Sequence, residues 1–134
     1  MMKSESNIIR EHLSRYKSLL DRLMQFAVDV IKFLRKFENT VEFRVIKYQL
    51  IKAVTSSGAN YDESQAASSL PDFSNKIKIA LREMRESNYW LKMISKLINS
   101  TDPELEKLLN ESEELKRILG SIAVKSMKSN SKKN

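Results

Sequence analysis

The chain has 134 residues, of which 41% are apolar and 31% charged, with two glycines, two prolines, no cysteine and a formal net charge of +7. This length corresponds to about one domain, and the scarcity of glycine and proline favours long helices over a turn-rich β fold. The lack of cysteine excludes disulfides, thiolate metal sites and cysteine nucleophiles. No run approaches the roughly 18 apolar residues that span a bilayer, and the N-terminus lacks the apolar core of a secretory signal, so we expect a soluble, cytoplasmic protein.

The first predicted helix covers residues 13–37, where apolar side chains recur at spacings of three and four. Glu38, Asn39 and Thr40 interrupt this pattern, and a second stripe of the same period begins at Phe43. Because the interruption is short, we expect the two helices to lie antiparallel. Residues 1–12 precede the stripe and are predicted to form a flexible N-terminal segment.

The second stripe leads into VTSSGANYDESQAASS, residues 54–69, which has almost no large aliphatic side chain. A helix that ended at Val54 would leave a structureless loop of some fifteen residues, which compact domains seldom contain. Continuing the helix instead places mostly small side chains on one face. Gly58 costs such a helix about 1 kcal/mol relative to Ala, and close packing of a neighbouring helix or a partner group would offset that cost. An ordinary flexible loop is the alternative.

Two further helices are predicted from the remaining apolar stripes. The third runs from Phe73 to Leu97, after the helix-start residues Ser68, Ser69 and Pro71. The sequence Asn99-Ser100 ends it. The fourth begins at TDPE, residues 101–104, either through a Thr-x-x-Glu capping box or through an Asp cap followed by Pro at the first helical position.

The fourth stripe continues to Ile122, and residues 125–134 then carry four lysines, no acid and no apolar periodicity. This segment is predicted to be a disordered basic tail. Four helices of roughly 25 residues with short connections predict an all-α fold, an up-down-up-down antiparallel four-helix bundle over residues 13–124.

Residues 49–94, QLIKAVTSSGANYDESQAASSLPDFSNKIKIALREMRESNYWLKMI, resemble the signature of the four-helix-bundle proteins encoded in intervening sequences of bacterial 23S rRNA genes. The outer helices resemble that family only by length and pattern. The matching positions are, in order, Gln49, Leu50, Ala53, Ser57, Ala59, Asn60, Tyr61, Glu63, Ser68, Asp72, Phe73, Lys76, Ile79, Ala80, Leu81, Glu83, Glu86, Tyr89, Trp90 and Leu91.

This resemblance implies a left-handed four-helix bundle that assembles as a homopentamer and has no enzymatic activity. It also implies a link to nucleic acid, which rests on gene context, and a function generally regarded as unknown. Some relatives are accessory subunits of diversity-generating retroelements, basic barrels that bind nucleic acid and a reverse transcriptase.

Candidates for catalysis or metal binding are scarce in this sequence. The single histidine, His12, follows Glu11 directly, and no Glu-x-x-His pair of the kind found in di-iron bundles is present. Glu83 and Glu86 lie one helical turn apart, but pairing with neighbouring cations such as Arg82 is the simpler role for them. We therefore predict no catalytic residue, no metal, no cofactor and no small-molecule substrate.

The best candidate for a functional surface is a group of six basic residues, which we call the basic corner. Two acids in the same window leave a local excess of four positive charges, so the corner is expected to contact phosphates of RNA or DNA, with a solvated helical face as the alternative. Nearby aromatic residues are mostly needed for the core, so RNA read by its shape fits better than base-specific readout. The six residues are Lys32, Arg35, Lys36, Arg44, Lys47 and Lys52.

The small and polar face of the second helix is the predicted oligomer interface, and a polar network inside one bundle is the equal alternative. On the third helix, Trp90 and Tyr89 are predicted to anchor the core or an interface, with a base-stacking platform as the alternative. Together these features predict a non-enzymatic, oligomeric bundle that binds RNA or another nucleic acid, or alternatively a ring-shaped protein-interaction scaffold. The predicted interface residues are Ser57, Gly58, Asn60, Tyr61, Glu63 and Ser64.

Overall fold

The structure is a computed structural model that describes residues 4–133, without the side chains of residues 12–17, 132 and 133. This part of the chain forms α1 (Glu5–Leu34), α2 (Val41–Gln65), α3 (Leu70–Ile98) and α4 (Pro103–Lys133), and no strand occurs in it. The predicted all-α class is confirmed. Within the described residues, no helix is apolar over a length sufficient to cross a membrane.

Short polar caps separate the helices at the predicted positions. The hydroxyl of Thr40 accepts a hydrogen bond from the backbone N–H three residues later at 3.3 Å, and that of Ser69 does the same for α3 at 3.1 Å. Asn99 ends α3 in the left-handed conformation, with φ 46°, which asparagine tolerates better than most residues. Oδ1 of Asp102 accepts the N–H groups of the second and third residues of α4, which begins at Pro103. The Asp cap is therefore the correct one of the two predicted starts.

The outer ends of α1 and α4 differ from the predicted boundaries. Helix α1 already begins at Glu5, where Ser4 caps it by accepting the N–H of Asn7 at 3.4 Å. Helix α4 continues to Lys133, through most of the segment predicted to be a disordered tail. At Ser126 it still packs on α3, because the buried Ser126 hydroxyl donates to the Ser74 hydroxyl of α3 at 3.1 Å. The rest of the two predicted mobile ends, residues 1–3 and 134, lies outside the described residues.

The stretch with few aliphatic side chains is helical as far as Gln65, so the prediction that helix two continues through it is confirmed. Ser57, Tyr61 and Ser64 are buried. The Ser57 hydroxyl donates to the Ala80 carbonyl of α3 at 2.8 Å. Small side chains thus let α2 and α3 approach closely, and the flexible-loop alternative is wrong for this segment.

Each helix packs against its neighbours in the chain, and α1 also packs against α4. In every pair, partners run in opposite order along the two helices, so packed neighbours are antiparallel. For α1 and α2 the contacts that show this order are Leu23 to Gly58 and Phe37 to Phe43, and for α2 and α3 they are Ser57 to Ala80 and Glu63 to Lys76. For α3 and α4 they are Ser74 to Ser126 and Asn88 to Ser112. For α1 and α4 they are Arg22 to Glu111 and Lys36 to Glu104.

The apolar core lies between the four helices and, among the described side chains, follows most of the predicted stripes. Leu97, predicted to end the third stripe, is half exposed, and Ile98 packs against the core instead. Buried polar groups lie between the helices as well, and each such side-chain atom in the described part has a hydrogen-bond partner. The most deeply buried large side chains include Leu23, Val30, Phe33, Leu34, Leu50, Val54, Ile77, Met84, Leu91, Ile94, Leu115 and Leu119.

Replacing Gly58 tests how closely α1 approaches α2. A Cβ atom added at Gly58 would meet Cβ of Leu23 at 3.5 Å, which is an ordinary contact. We expect Gly58→Ala to stabilise the fold by about 0.5–1 kcal/mol through helix propensity, and Gly58→Leu to destabilise it by about 1–3 kcal/mol through overpacking. Urea unfolding followed by circular dichroism measures both changes.

Gly120 supplies the matched control, because a Cβ atom there would meet no atom within 4 Å. Gly120→Ala and Gly120→Leu should both leave the fold at least as stable as the wild type. Equal tolerance of Leu at the two glycines would contradict the close approach of α1 and α2.

Candidate nucleic-acid interface

The basic corner lies around the connection between α1 and α2, with Lys32, Arg35 and Lys36 at the end of α1 and Arg44 and Lys47 in the first two turns of α2. Lys52 lies further along α2, about 17 Å from its first residue. Three aromatic rings pack at the connection. The rings of Phe37 and Phe43 stack with centroids 4.8 Å apart, and Phe33 meets Phe37 edge-on at 5.2 Å. These three phenylalanines belong to the core, as predicted, and they fix the ends of both helices beneath the charged surface.

Two of the six corner residues have partners within the chain. The Lys47 ammonium donates to the Phe37 carbonyl and, at 2.7 Å, to Oδ1 of Asn39, so it fastens the connection between α1 and α2. Lys36 forms an ion pair with Glu104 of α4, and its ammonium also lies 5.3 Å from the centroid of the Phe33 ring. Hydrogen bonding to Glu104 raises the pKa of Lys36. Neither ammonium is as available to a phosphate as the sequence predicts.

The other four corner residues present their charges to solvent. Lys32, Arg35, Arg44 and Lys52 are exposed, and among the described residues none has a carboxylate within 4.0 Å. No carboxylate competes for them, so they can exchange counterions for phosphates. The available corner is therefore smaller than predicted, and the exposed acids Glu38 and Glu42 lie in the same window.

An exposed aromatic ring lies among these charges, although the nearby aromatic residues were mostly expected in the core. Tyr48 is 66% exposed, and it stands four residues from both Arg44 and Lys52 on the outward stripe of α2. Val41 and Val45 on the same side are also exposed. The spacing of four was visible in the sequence, but the apolar character of Tyr48 favoured burial.

Four of the six predicted interface residues serve the interior of the single chain. Ser57, Tyr61 and Ser64 are buried, and the Ser64 hydroxyl donates to the Tyr61 carbonyl at 2.6 Å. Gly58 lies against Leu23 of α1. Packing within the chain thus buries Ser57, Tyr61 and Ser64, as the alternative of a polar network inside one bundle describes, and leaves Gly58 half-buried. A subunit contact by these four residues stays a prediction.

The two remaining residues of that predicted interface are more accessible. Asn60 is half-buried, and its amide donates to the Ser56 carbonyl at 2.9 Å. Glu63 is exposed and pairs with Lys76 of α3 at 3.1 Å. A role for Asn60 and Glu63 in subunit contacts stays a prediction.

The acidic pair on α3 has structural partners. Glu83 lies 3.6 Å from the guanidinium of Arg82, whereas Glu86 accepts a hydrogen bond from Nε1 of Trp90 at 3.3 Å. The expected cation contact therefore forms at Glu83 and not at Glu86. Trp90 is half-buried and packs against the core, as predicted, but Tyr89 is 55% exposed, so for that ring an interface role stays a prediction.

A groove of about 580 Å³ lies between α1 and α4. The buried side chains of Phe26 and Leu108 line it. The Arg22 guanidinium also lines the groove and lies 2.6 Å from Glu111 and 3.2 Å from Glu114. The hydrogen bond to Glu111 raises the pKa of Arg22. The charge of Arg22 is thus balanced by two carboxylates, whereas Lys32, which also lines the groove, has no carboxylate within 4.0 Å among the described residues. Among the described side chains, no group of three or more His, Cys, Asp or Glu residues is arranged to hold a metal ion, and the side chain of His12 lies outside them.

Comparisons with known proteins agree with this architecture. A family model described as "23S rRNA-intervening sequence protein" matches residues 18–121. A solved structure from Bacteroides thetaiotaomicron VPI-5482, a protein of unknown function from the S23 ribosomal protein family, is 33% identical in sequence, with a TM-score of 0.71. The match covers 78% of this chain and 97% of that chain. No curated protein matches the chain.

The separate roles of the corner residues can be tested by removing single ammonium groups. We expect Lys47→Met to lower the free energy of unfolding by about 1–2 kcal/mol, because the Phe37 carbonyl and Asn39 lose a charged donor. Lys52→Met, at an exposed position of the same helix, should change it by less than about 0.5 kcal/mol. Urea unfolding measures both values, and an equal effect of the two changes would show that Lys47 does not fasten the connection.

Proposed function

The chain belongs to the 23S rRNA-intervening sequence protein family, and from this premise we propose that it is a non-enzymatic, cytoplasmic protein that binds RNA or another nucleic acid through its surface charge. The observation that carries the proposal is the set of four exposed corner cations without a carboxylate partner in the described structure. Cations in this state release counterions when phosphate replaces water around them, which supplies affinity without sequence specificity. The net charge of +7 adds long-range attraction for a polyanion.

The functional unit in this proposal is an up-down-up-down four-helix bundle that associates as a homopentamer. The number of subunits comes from the family resemblance. Support for association comes from apolar side chains that the single chain leaves open, among them Met24, Val41 and Val45. A ring would repeat the corner around its axis and multiply weak phosphate contacts through effective concentration.

The exposed valines also favour a second candidate function, a scaffold that recruits another protein. Val41 and Val45 lie on the outward side of α2 beside the charged residues. An apolar protein interface barely responds to salt, whereas a phosphate interface weakens linearly on a logarithmic salt scale. Salt dependence of binding therefore distinguishes the two functions.

Neutralising the available corner tests the nucleic-acid function. We expect the triple change Arg35→Gln, Arg44→Gln and Lys52→Gln to remove up to three phosphate contacts and to shallow the salt slope by roughly 0.7–0.9 units for each phosphate that is no longer neutralised. Fluorescence anisotropy with a labelled RNA hairpin at several salt concentrations measures this slope. Lys47 is left in place because its replacement would disturb the fold.

The matched control is Lys107→Gln, Arg117→Gln and Lys125→Gln, which removes the same charge from exposed positions of α4. This variant should lose less affinity and keep more of the salt slope than the corner variant. If the corner variant binds the hairpin with unchanged affinity and slope while circular dichroism shows an intact fold, the corner is only a solvated face.

Association is tested separately by light scattering at tens of micromolar. We expect a mass about five times the 15.6 kDa of one chain, and a smaller mass for Val41→Ser combined with Val45→Ser, because those changes remove apolar area from the open face of α2. Leu97→Ser removes an exposed apolar side chain of α3 and should leave the mass unchanged. A monomeric wild type would contradict the proposed ring.

A further inference from the structure

A second basic surface lies on α3 and has no counterpart among the predicted sites. Its six residues are separated alternately by four and three positions, which places them on a single face of the helix, and all six are exposed. Five carry a positive charge, the sixth is Tyr89, and none is acidic. The stripe spans 18 helical steps, or about 27 Å. We call it the α3 track, and it consists of Lys78, Arg82, Arg85, Tyr89, Lys92 and Lys96.

Neighbouring carboxylates neutralise the track only in part. In the described structure Lys78, Arg85 and Lys96 have no carboxylate within 4.0 Å. Lys92 reaches Glu113 of α4 at 3.5 Å, but that carboxylate is shared with a lysine of its own helix, Lys116, at 3.0 Å. The hydrogen bond from Lys116 lowers the pKa of Glu113, and Lys116 lies closer to this carboxylate than Lys92 does. The track therefore keeps a positive excess along its whole length.

The aromatic ring of Tyr89 is held in place at the middle of this line of charge. It meets Trp90 edge-on, with centroids 5.1 Å apart and an angle of 79° between the ring planes. Trp90 is itself fixed by packing on the core and by its hydrogen bond to Glu86. Trp90 thus supports one side of the Tyr89 ring, while 55% of the tyrosine residue is exposed to solvent. A braced, exposed ring loses little conformational freedom when another flat ring stacks on it.

We propose that the α3 track binds a single-stranded nucleic acid, with Tyr89 stacked on a nucleobase and the flanking basic side chains in contact with phosphates. A line of cations interrupted by an aromatic ring is the combination that single strands use, since every nucleobase has a face that can stack. A duplex buries those faces, so it would engage the cations but not the ring. An acidic peptide would likewise use the charges and leave the ring without a partner.

The proposal rests on the proposed nucleic-acid function for its class of ligand, but it depends on different side chains. The corner residues come from α1 and α2, whereas the whole track lies on α3. Substitutions can therefore test binding at the two surfaces independently. Only the track assigns a role to an exposed aromatic ring, and only the track discriminates single strands from duplexes.

The test uses a labelled 20-nucleotide uridine strand, an abasic strand of the same length and a duplex RNA, with binding followed by fluorescence anisotropy. We expect Tyr89→Ala to weaken binding of the uridine strand about tenfold at an unchanged salt slope, because stacking carries no charge. Tyr89→Phe should retain wild-type affinity. The abasic strand should bind wild type and Tyr89→Ala equally.

Two variants probe the charges and the location of the site. Arg85→Gln combined with Lys96→Gln should shallow the salt slope for the single strand by roughly 1.4 units, about 0.7 for each phosphate that is no longer neutralised. Tyr48→Ala removes the exposed ring of α2 and should leave the preference for the uridine strand over the abasic strand intact. Circular dichroism of each variant checks that the fold is retained.

Three outcomes would overturn the track. If Tyr89→Ala and the Arg85/Lys96 variant both bind the uridine strand like the wild type, and only the corner variant loses affinity, the α3 track is not a binding site. The proposed function would still hold. Equal competition by polyglutamate and by the uridine strand, without any effect of Tyr89→Ala, would make α3 a general acidic-partner surface. A wild type that binds none of the nucleic acids at low salt would remove the proposed function together with the track.

Discussion

The structure depends on the close approach of α2, α3 and α4, which is possible only where small side chains meet and where every buried hydroxyl finds an acceptor. Ser57 reaches a carbonyl of α3, Asn88 donates to Ser112 at 2.7 Å, and Ser74 meets Ser126 at 3.1 Å. An unpaired hydroxyl in these positions would cost about 1–3 kcal/mol, so the helices must keep their axial alignment. This constraint places the small polar face of α2 inside the chain. Contacts with other molecules must therefore use the outward faces of the helices.

Much of the fold could be predicted from periodicity and cap residues. Apolar spacing located the four helices, and the rarity of long structureless loops correctly extended α2 through Gly58 to Gln65. Periodicity shows which residues share a face but not which neighbour covers that face. For that reason Ser57 and Tyr61 were assigned to a subunit contact although they lie inside the single chain. The length of α4 was underestimated because the Ser126 hydroxyl bonds to Ser74 of α3 beyond the end of the apolar stripe.

The candidate site was predictable only in part, because counting charges along the sequence ignores helix geometry. The basic corner stands out in such a count, but Lys47 turns inward to a backbone carbonyl and leaves it smaller. The α3 track does not stand out, since Glu83 and Glu86 are interleaved with its bases in the sequence while they lie on another side of the helix. Sorting charges by helical face would have separated the two sets. The same sorting places Tyr89 on the charged face, four residues after Arg85 and three before Lys92, whereas Trp90 beside it packs on the core.

The boundary between α1 and α4 differs in kind from the other three. It contains an open groove spanned by ion pairs such as that of Arg22 with Glu111, whereas hydroxyl contacts and apolar packing join α2, α3 and α4. Ion pairs that are partly open to solvent contribute little compared with buried apolar surface, so α1 is attached to the remaining helices mainly through its buried apolar side chains. We therefore expect unequal cooperative units: a subglobal opening that releases α1 and keeps α2–α4 assembled should require less free energy than complete unfolding, and amide protons of α1 should exchange by that route.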